Sequence, residues 1–134
     1  MGKTSEEQER DARRFGTVLV IAADDLRGTL TVELTGAGYR VIALGDSREA
    51  AQYLRREAIP PSLIMLDWKV PGLSGLQFVA FHASSPTYCR TPLVVIAEPT
   101  CTNVPRLCVS AIVSRPIPTT RVSQIVDQLA RRPF

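Results

Sequence analysis

No apolar stretch in this sequence approaches the roughly 18–20 residues that span a bilayer. Nothing at its start has the pattern of a secretory signal. A membrane partner is therefore not expected, and the cytoplasm is the expected compartment. Cysteine is scarce, with Cys89, Cys101 and Cys108 alone. An odd number without a secretory signal argues for reduced thiols, expected as small buried or half-buried residues. His82 is the one histidine, and no CxxC spacing is present, so a zinc site is not expected. Lysine is rare as well, two against fourteen arginines. The net charge of +3 is spread along the chain. Without a concentrated basic face, nucleic acid is not an expected partner.

What is there is an ordinary globular composition. The 134 residues are 45% apolar and 22% charged, enough for one domain with its own core. Residues 1–16 are polar and charged and read as a tail or a short helix. Val18-Leu19-Val20-Ile21-Ala22-Ala23 is an unbroken apolar run that ends in Asp24-Asp25. Leu63-Ile64-Met65-Leu66 is another, and it ends in Asp67. Such runs read as strands buried on both faces, typical of a parallel sheet. Leu26, Leu30, Leu34 and Ala37 form a helical stripe closed by Gly36 and Gly38. Tyr39–Leu44 reads as a strand and Gly45-Asp46-Ser47 as a turn with a helix cap. Ala50, Ala51, Leu54 and Ala58 line the next helix, which Pro60-Pro61 ends.

After the turn at Pro71, Gly72 and Gly75 a helix is predicted to about Ala83, with Leu76, Val79, Ala80 and Ala83 toward the core. Leu93–Ala97 is a fourth strand. Glu98–Ser110 has no clean periodicity and is expected to hold at most a short helix or turn. Ala111-Ile112-Val113 is a fifth strand. A last helix, capped by Thr119 or Thr120, carries Val122, Ile125, Val126 and Leu129 on its inward stripe. Alternation of strand and helix five times implies a parallel sheet with helices on both faces and right-handed crossovers.

In such sheets ligands bind beyond the carboxyl ends of the strands. Asp24, Asp25 and Asp67 are expected at that end. Were the first and third strands neighbours, the three carboxylates would meet. Their repulsion would then need a proton or a cation. A hard divalent ion such as Mg2+ suits oxygen ligands of this kind. An aspartate in such a site can act as a nucleophile and form an aspartyl-phosphate.

The sequence resembles the receiver domains of two-component response regulators over residues 17–132. The motifs that carry the resemblance are Val-Leu-Val-Ile-Ala-Ala-Asp24-Asp25, Gly38-Tyr39-x-Val41, Gly45-x-x-x-Glu49-Ala50, and above all Leu-Asp67-Trp-Lys-Val-Pro71-Gly-Leu-Ser-Gly75, followed by Pro92 and its strand. The resemblance implies a flavodoxin-like three-layer sandwich with a five-stranded parallel sheet in the order 2-1-3-4-5. It also implies that Asp67 is the phospho-acceptor and that Asp24, Asp25, Asp67 and the Lys69 backbone carbonyl hold Mg2+. The implied partners are a histidine kinase or phosphotransfer protein and a downstream protein. A homodimer is included, through the last helix and the region before it. The implied role is signalling rather than catalysis. A flavodoxin-like enzyme would need a phosphate-cradling Gly loop after the first strand, and there is none.

The departures from that family fall in the second half. The family keeps Ser or Thr where this chain has Ala97, so the hydroxyl that bonds the phosphoryl group is missing. Bulky, anionic Glu98 follows, where a small residue is usual. The lysine position before proline is Arg115, which keeps the charge but not the shape. The switch aromatic becomes Ile112. The segment between Ala97 and Arg115 is short, so the fourth helix is expected to be short or degenerate. Glu98 can accept a salt bridge from Arg115 or Lys69. Two functions follow: a single-domain response regulator phosphorylated on Asp67 with Mg2+, or a pseudo-receiver that works as a phosphorylation-independent interaction module.

Overall fold

The computed structural model describes residues 16–130. The expected tail or short helix at 1–16 lies outside them, Gly16 apart, as do the last residues of the 17–132 unit. Five strands are formed: β1 (Thr17–Ile21), β2 (Arg40–Leu44), β3 (Leu63–Asp67), β4 (Leu93–Ala97) and β5 (Ala111–Ser114). All pair in parallel, in the order β2-β1-β3-β4-β5. Four helices connect or follow them: α1 (Asp24–Gly36), α2 (Ser47–Arg56), α3 (Gly75–Ser84) and α4 (Thr119–Leu129). Between β4 and β5 there is one turn of 3-10 helix, Arg106–Cys108. The expected shortening of the helix there is thus nearly complete.

The two-residue period of the strands sorts their side chains into two cores. Leu19, Ile21, Ile64, Leu66, Leu93 and Val95 pack with Ala50 and Leu54 of α2 and Phe78 and Val79 of α3. Val18, Val20, Leu63, Met65, Val94 and Ile96 pack with Leu30 and Leu34 of α1 and Val122 and Val126 of α4. The three central strands are therefore covered on both faces, which is why their sequences are apolar without alternation. Each fully buried Leu or Ile in these layers contributes about 1.5–3 kcal/mol.

Local chemistry fixes the element ends. Asp46 caps α2 by accepting from the backbone N–H groups of Arg48 (2.8 Å) and Glu49 (3.1 Å). Ser74 and Gln77 close a full capping box at the start of α3. Gly72 sits at φ +109° in the turn between Asp67 and α3, a conformation side chains disfavour.

Four sequence expectations need correction. α2 stops at Arg56, and Ala58 beyond it is exposed. α3 turns a different face inward: Phe78, Val79 and His82 are buried, whereas Leu76, Ala80 and Ala83 are exposed. The large Phe78 ring removes more surface from water than Leu76 or two alanines would, so it sets the rotation. His82 follows it inward because its Nε2–H donates to the Thr91 carbonyl at 2.8 Å. Cys89 and Cys108 are exposed; Cys101 alone is half-buried. The position ahead of α4 is Pro118, which offers no side-chain cap.

Candidate functional site

The carboxyl end of β3 holds the site. Asp67 is the last strand residue and its side chain is 2% exposed. Water therefore does not solvate this carboxylate, and a compensating charge is required. Arg115 supplies it, with Nη2 at 2.6 Å from Asp67 Oδ1. The Lys69 backbone N–H donates to the same oxygen at 3.1 Å. Short contacts of this kind between ionised groups are the strong class of hydrogen bond.

The backbone delivers Arg115 to this point. Asp67 is level with Ile96 on β4, and Ala97 is level with Ser114 on β5. The Arg115 N–H then donates to the Ala97 carbonyl at 3.0 Å, which pins the residue beside the end of β4. The Arg115–Pro116 peptide bond is cis. Glu98, one residue past β4, lies 3.9 Å from Arg115 Nε and 3.5 Å from Lys69 Nζ. The four charges alternate in sign: Asp67, Arg115, Glu98, Lys69. Burial decreases along them, from 2% side-chain exposure at Asp67 through 29% and 38% to 68% at Lys69. The Asp67–Arg115 contact is thus the strong member, and Lys69–Glu98 is worth little in water. Both cations expected beside Glu98 are present, but the closest partner of Arg115 is Asp67.

Asp24 and Asp25 do not join this group. β1 ends at Ile21, which is level with Leu66. One more step along both strands sets Ala22 level with Asp67. Ala23 is the N-cap of α1, and Asp24 and Asp25 already lie in its first turn. Both are exposed, and Asp24 pairs with Arg27 at 3.5 Å with its side chain 95% exposed. Their charges sit favourably at a helix N-terminus, which is the role this placement gives them. Among the described residues no group of three or more His, Cys, Asp or Glu side chains is close enough to hold a metal ion. Lys69 meets Asp67 through its backbone N–H.

The offset has a sequence signal. Two alanines separate the last β-branched residue, Ile21, from Asp24, and alanine favours the helix that follows. Ala97 is buried at the end of β4 and offers no hydroxyl to the pocket. Two neighbours of the site are not among the residues expected there. Trp68 covers Gly75, where a Cβ would collide with the indole. Its Nε1–H donates to Asn103 Oδ1 at 3.1 Å, which ties the segment after β4 to the site loop. No periodicity marks Asn103.

Neither family models nor curated proteins match this chain. Solved structures do match its fold. The receiver domain of the sensor histidine kinase PA1611 from Pseudomonas aeruginosa PAO1, described with a magnesium ion coordinated in its active-site cleft, aligns with a TM-score of 0.73 at 17% identity, over 84% of this chain and 95% of that one. The chemotaxis response regulator CheY4 of Vibrio cholerae aligns with a TM-score of 0.74 at 19% identity, over 84% of this chain and 96% of that one. A signal receiver domain of a histidine kinase from Syntrophus aciditrophicus aligns with a TM-score of 0.72 at 20% identity, over 85% and 89%. With five parallel strands in the order 2-1-3-4-5 and Asp67 at the carboxyl end of the third, the chain has the receiver-domain fold of two-component signalling proteins.

Proposed function

We propose that this protein is a receiver-like signalling module of the cytoplasm that acts by contact with another protein and does not depend on phosphorylation. The observation that carries this reading is the 2.6 Å ion pair between Asp67 and Arg115. An aspartyl nucleophile needs a free carboxylate oxygen and a cation to neutralise the incoming phosphoryl group. Here the cation seated on Oδ1 is a fixed guanidinium, beside a backbone N–H, and the acids that would add a metal ion lie exposed in the first turn of α1.

The other reading keeps Asp67 as acceptor, with a histidine kinase or phosphotransfer protein as donor and Mg2+ on Asp24, Asp25, Asp67 and the Lys69 carbonyl. The residues present do not fit that ion. Alanines follow the end of β1 where the strand comes level with Asp67, and the acidic pair is exposed. Ala97 also removes the hydroxyl that would bond a phosphoryl oxygen. Among the described residues no helix is long and apolar enough to cross a membrane.

Incubation with a small phosphodonor and Mg2+, followed by intact mass, tests the proposal. No gain of one phosphoryl group is expected. A gain that disappears in Asp67→Asn would overturn it in favour of the phospho-acceptor.

A further inference from the structure

The missing metal ligands and the Arg115 contact have a common meaning. Asp67 is buried, so its charge must be balanced by something that does not leave. Among the described residues no group of three or more His, Cys, Asp or Glu side chains is placed to hold a divalent ion, and an alanine, Ala22, rather than an acid comes level with Asp67 one step past the neighbouring strand. The guanidinium stands 2.6 Å from the one oxygen that also accepts the Lys69 N–H. Arg115 itself is anchored by its own backbone bond to Ala97 and is flanked by Glu98. Arginine suits this position because its charge cannot be titrated away and it is more weakly hydrated than an ammonium.

We infer that Arg115 is a built-in counter-cation that holds the place of the divalent ion at Asp67 and excludes that ion from the site. The inference rests on the reading of the site as phosphorylation-independent and adds what keeps it so. A Mg2+ ion approaching Asp67 meets a positive charge already seated on the carboxylate. Displacing Arg115 would leave the guanidinium facing Glu98 alone, at 3.9 Å. The pair is therefore structural, and the two partners are not equivalent. Asp67 is 2% exposed and cannot reach water, whereas the Arg115 side chain is 29% exposed, with only its Nε buried and unpartnered, and has Glu98 close by. Removing the cation strands a buried anion; removing the anion does not strand the cation.

Thermal denaturation of the full chain with and without millimolar MgCl2 reads both statements. Wild type is expected to show the same midpoint in both conditions. Arg115→Gln is expected to melt roughly 5–10 °C lower, because a buried carboxylate loses its partner. Asp67→Asn combined with Arg115→Gln is expected to recover most of that loss, since neutral amides carry no stranded charge. The double variant also keeps the test readable should Arg115→Gln fail to fold. In Arg115→Gln, Mg2+ is expected to raise the midpoint, and in the double variant to do nothing. A saturable Mg2+ shift in wild type that is absent in Asp67→Asn would overturn the inference. So would an Arg115→Gln midpoint equal to wild type, or a double variant no more stable than Arg115→Gln. Phosphoryl uptake is read separately by mass: a gain there defeats the functional proposal. A Mg2+ response of the wild type without mass gain defeats only this inference.

Discussion

The ends of β1 and β3 look alike in the sequence and are unlike in space. Each is an apolar run that reaches aspartate. At β3 the acid is the last strand residue and is buried against Arg115. At β1 two alanines intervene, and the acids fall into the first turn of α1, exposed. A displacement of two residues turns a pocket ligand into a helix-terminus charge. The difference shows that a carboxylate near a strand end is not yet a site residue. What matters is its position relative to the last ladder pair.

Neutralising one acid at each end tells the two environments apart. Were three carboxylates clustered, removing one charge would relieve repulsion and stabilise the protein. Here the sign is reversed. Asp67→Asn is expected to lower stability by about 1–2 kcal/mol in urea denaturation, because Arg115 loses an ionised acceptor. Asp24→Asn, at an exposed pair with Arg27 in the first turn of α1, is expected to lower the midpoint only slightly.

The start of α1 can also be strengthened. Ala23 occupies the N-cap of α1 with extended backbone and no side-chain cap bond. Ala23→Asp is expected to raise stability by about 1 kcal/mol by accepting a first-turn N–H. Denaturation midpoints measure this directly, and no gain would mean that Asp24 and Asp25 already satisfy that turn.

Acidification separates the ion pair from the remainder of the core. His82 is the one histidine, buried with Nδ1 unpartnered, and burial pushes its pKa below the ordinary 6.5. Its folded pKa lies below its unfolded one, so the neutral ring stabilises the fold fully above about pH 6.5. That contribution declines as pH falls through the window between the two values. A thermal midpoint followed from pH 7.5 downward is expected to decline there, and the decline is expected to vanish in His82→Gln. Persistence of the slope in that variant would assign it to carboxylates instead.

Much of this is legible in the chain. All five strands follow from apolar runs, and the Asp46 cap and the Val122–Leu129 stripe follow from residue chemistry at fixed spacing. Asp67 is legible because a buried strand that ends in charge needs a partner. The destination of Asp24 and Asp25 is signalled only by Ala22 and Ala23, which favour a helix start but also fit the end of an apolar strand run. The face of α3 is not legible, because its residues are apolar nearly all round, so spacing alone does not choose between Leu76 and Phe78. Arg115 is expected from the sequence as a cation beside Glu98. Its closer bond to Asp67 depends on strand order, which a local pattern does not contain.

The Arg115–Asp67 contact has a mechanical consequence. It joins the ends of two strands that are not neighbours, reaching over β4. β5 is at the sheet edge and is preceded by a single turn of helix, the kind of element that frays first. Fraying at its carboxyl end would uncover a charged group in the middle of the sheet. β5 is thereby expected to open together with the core rather than ahead of it.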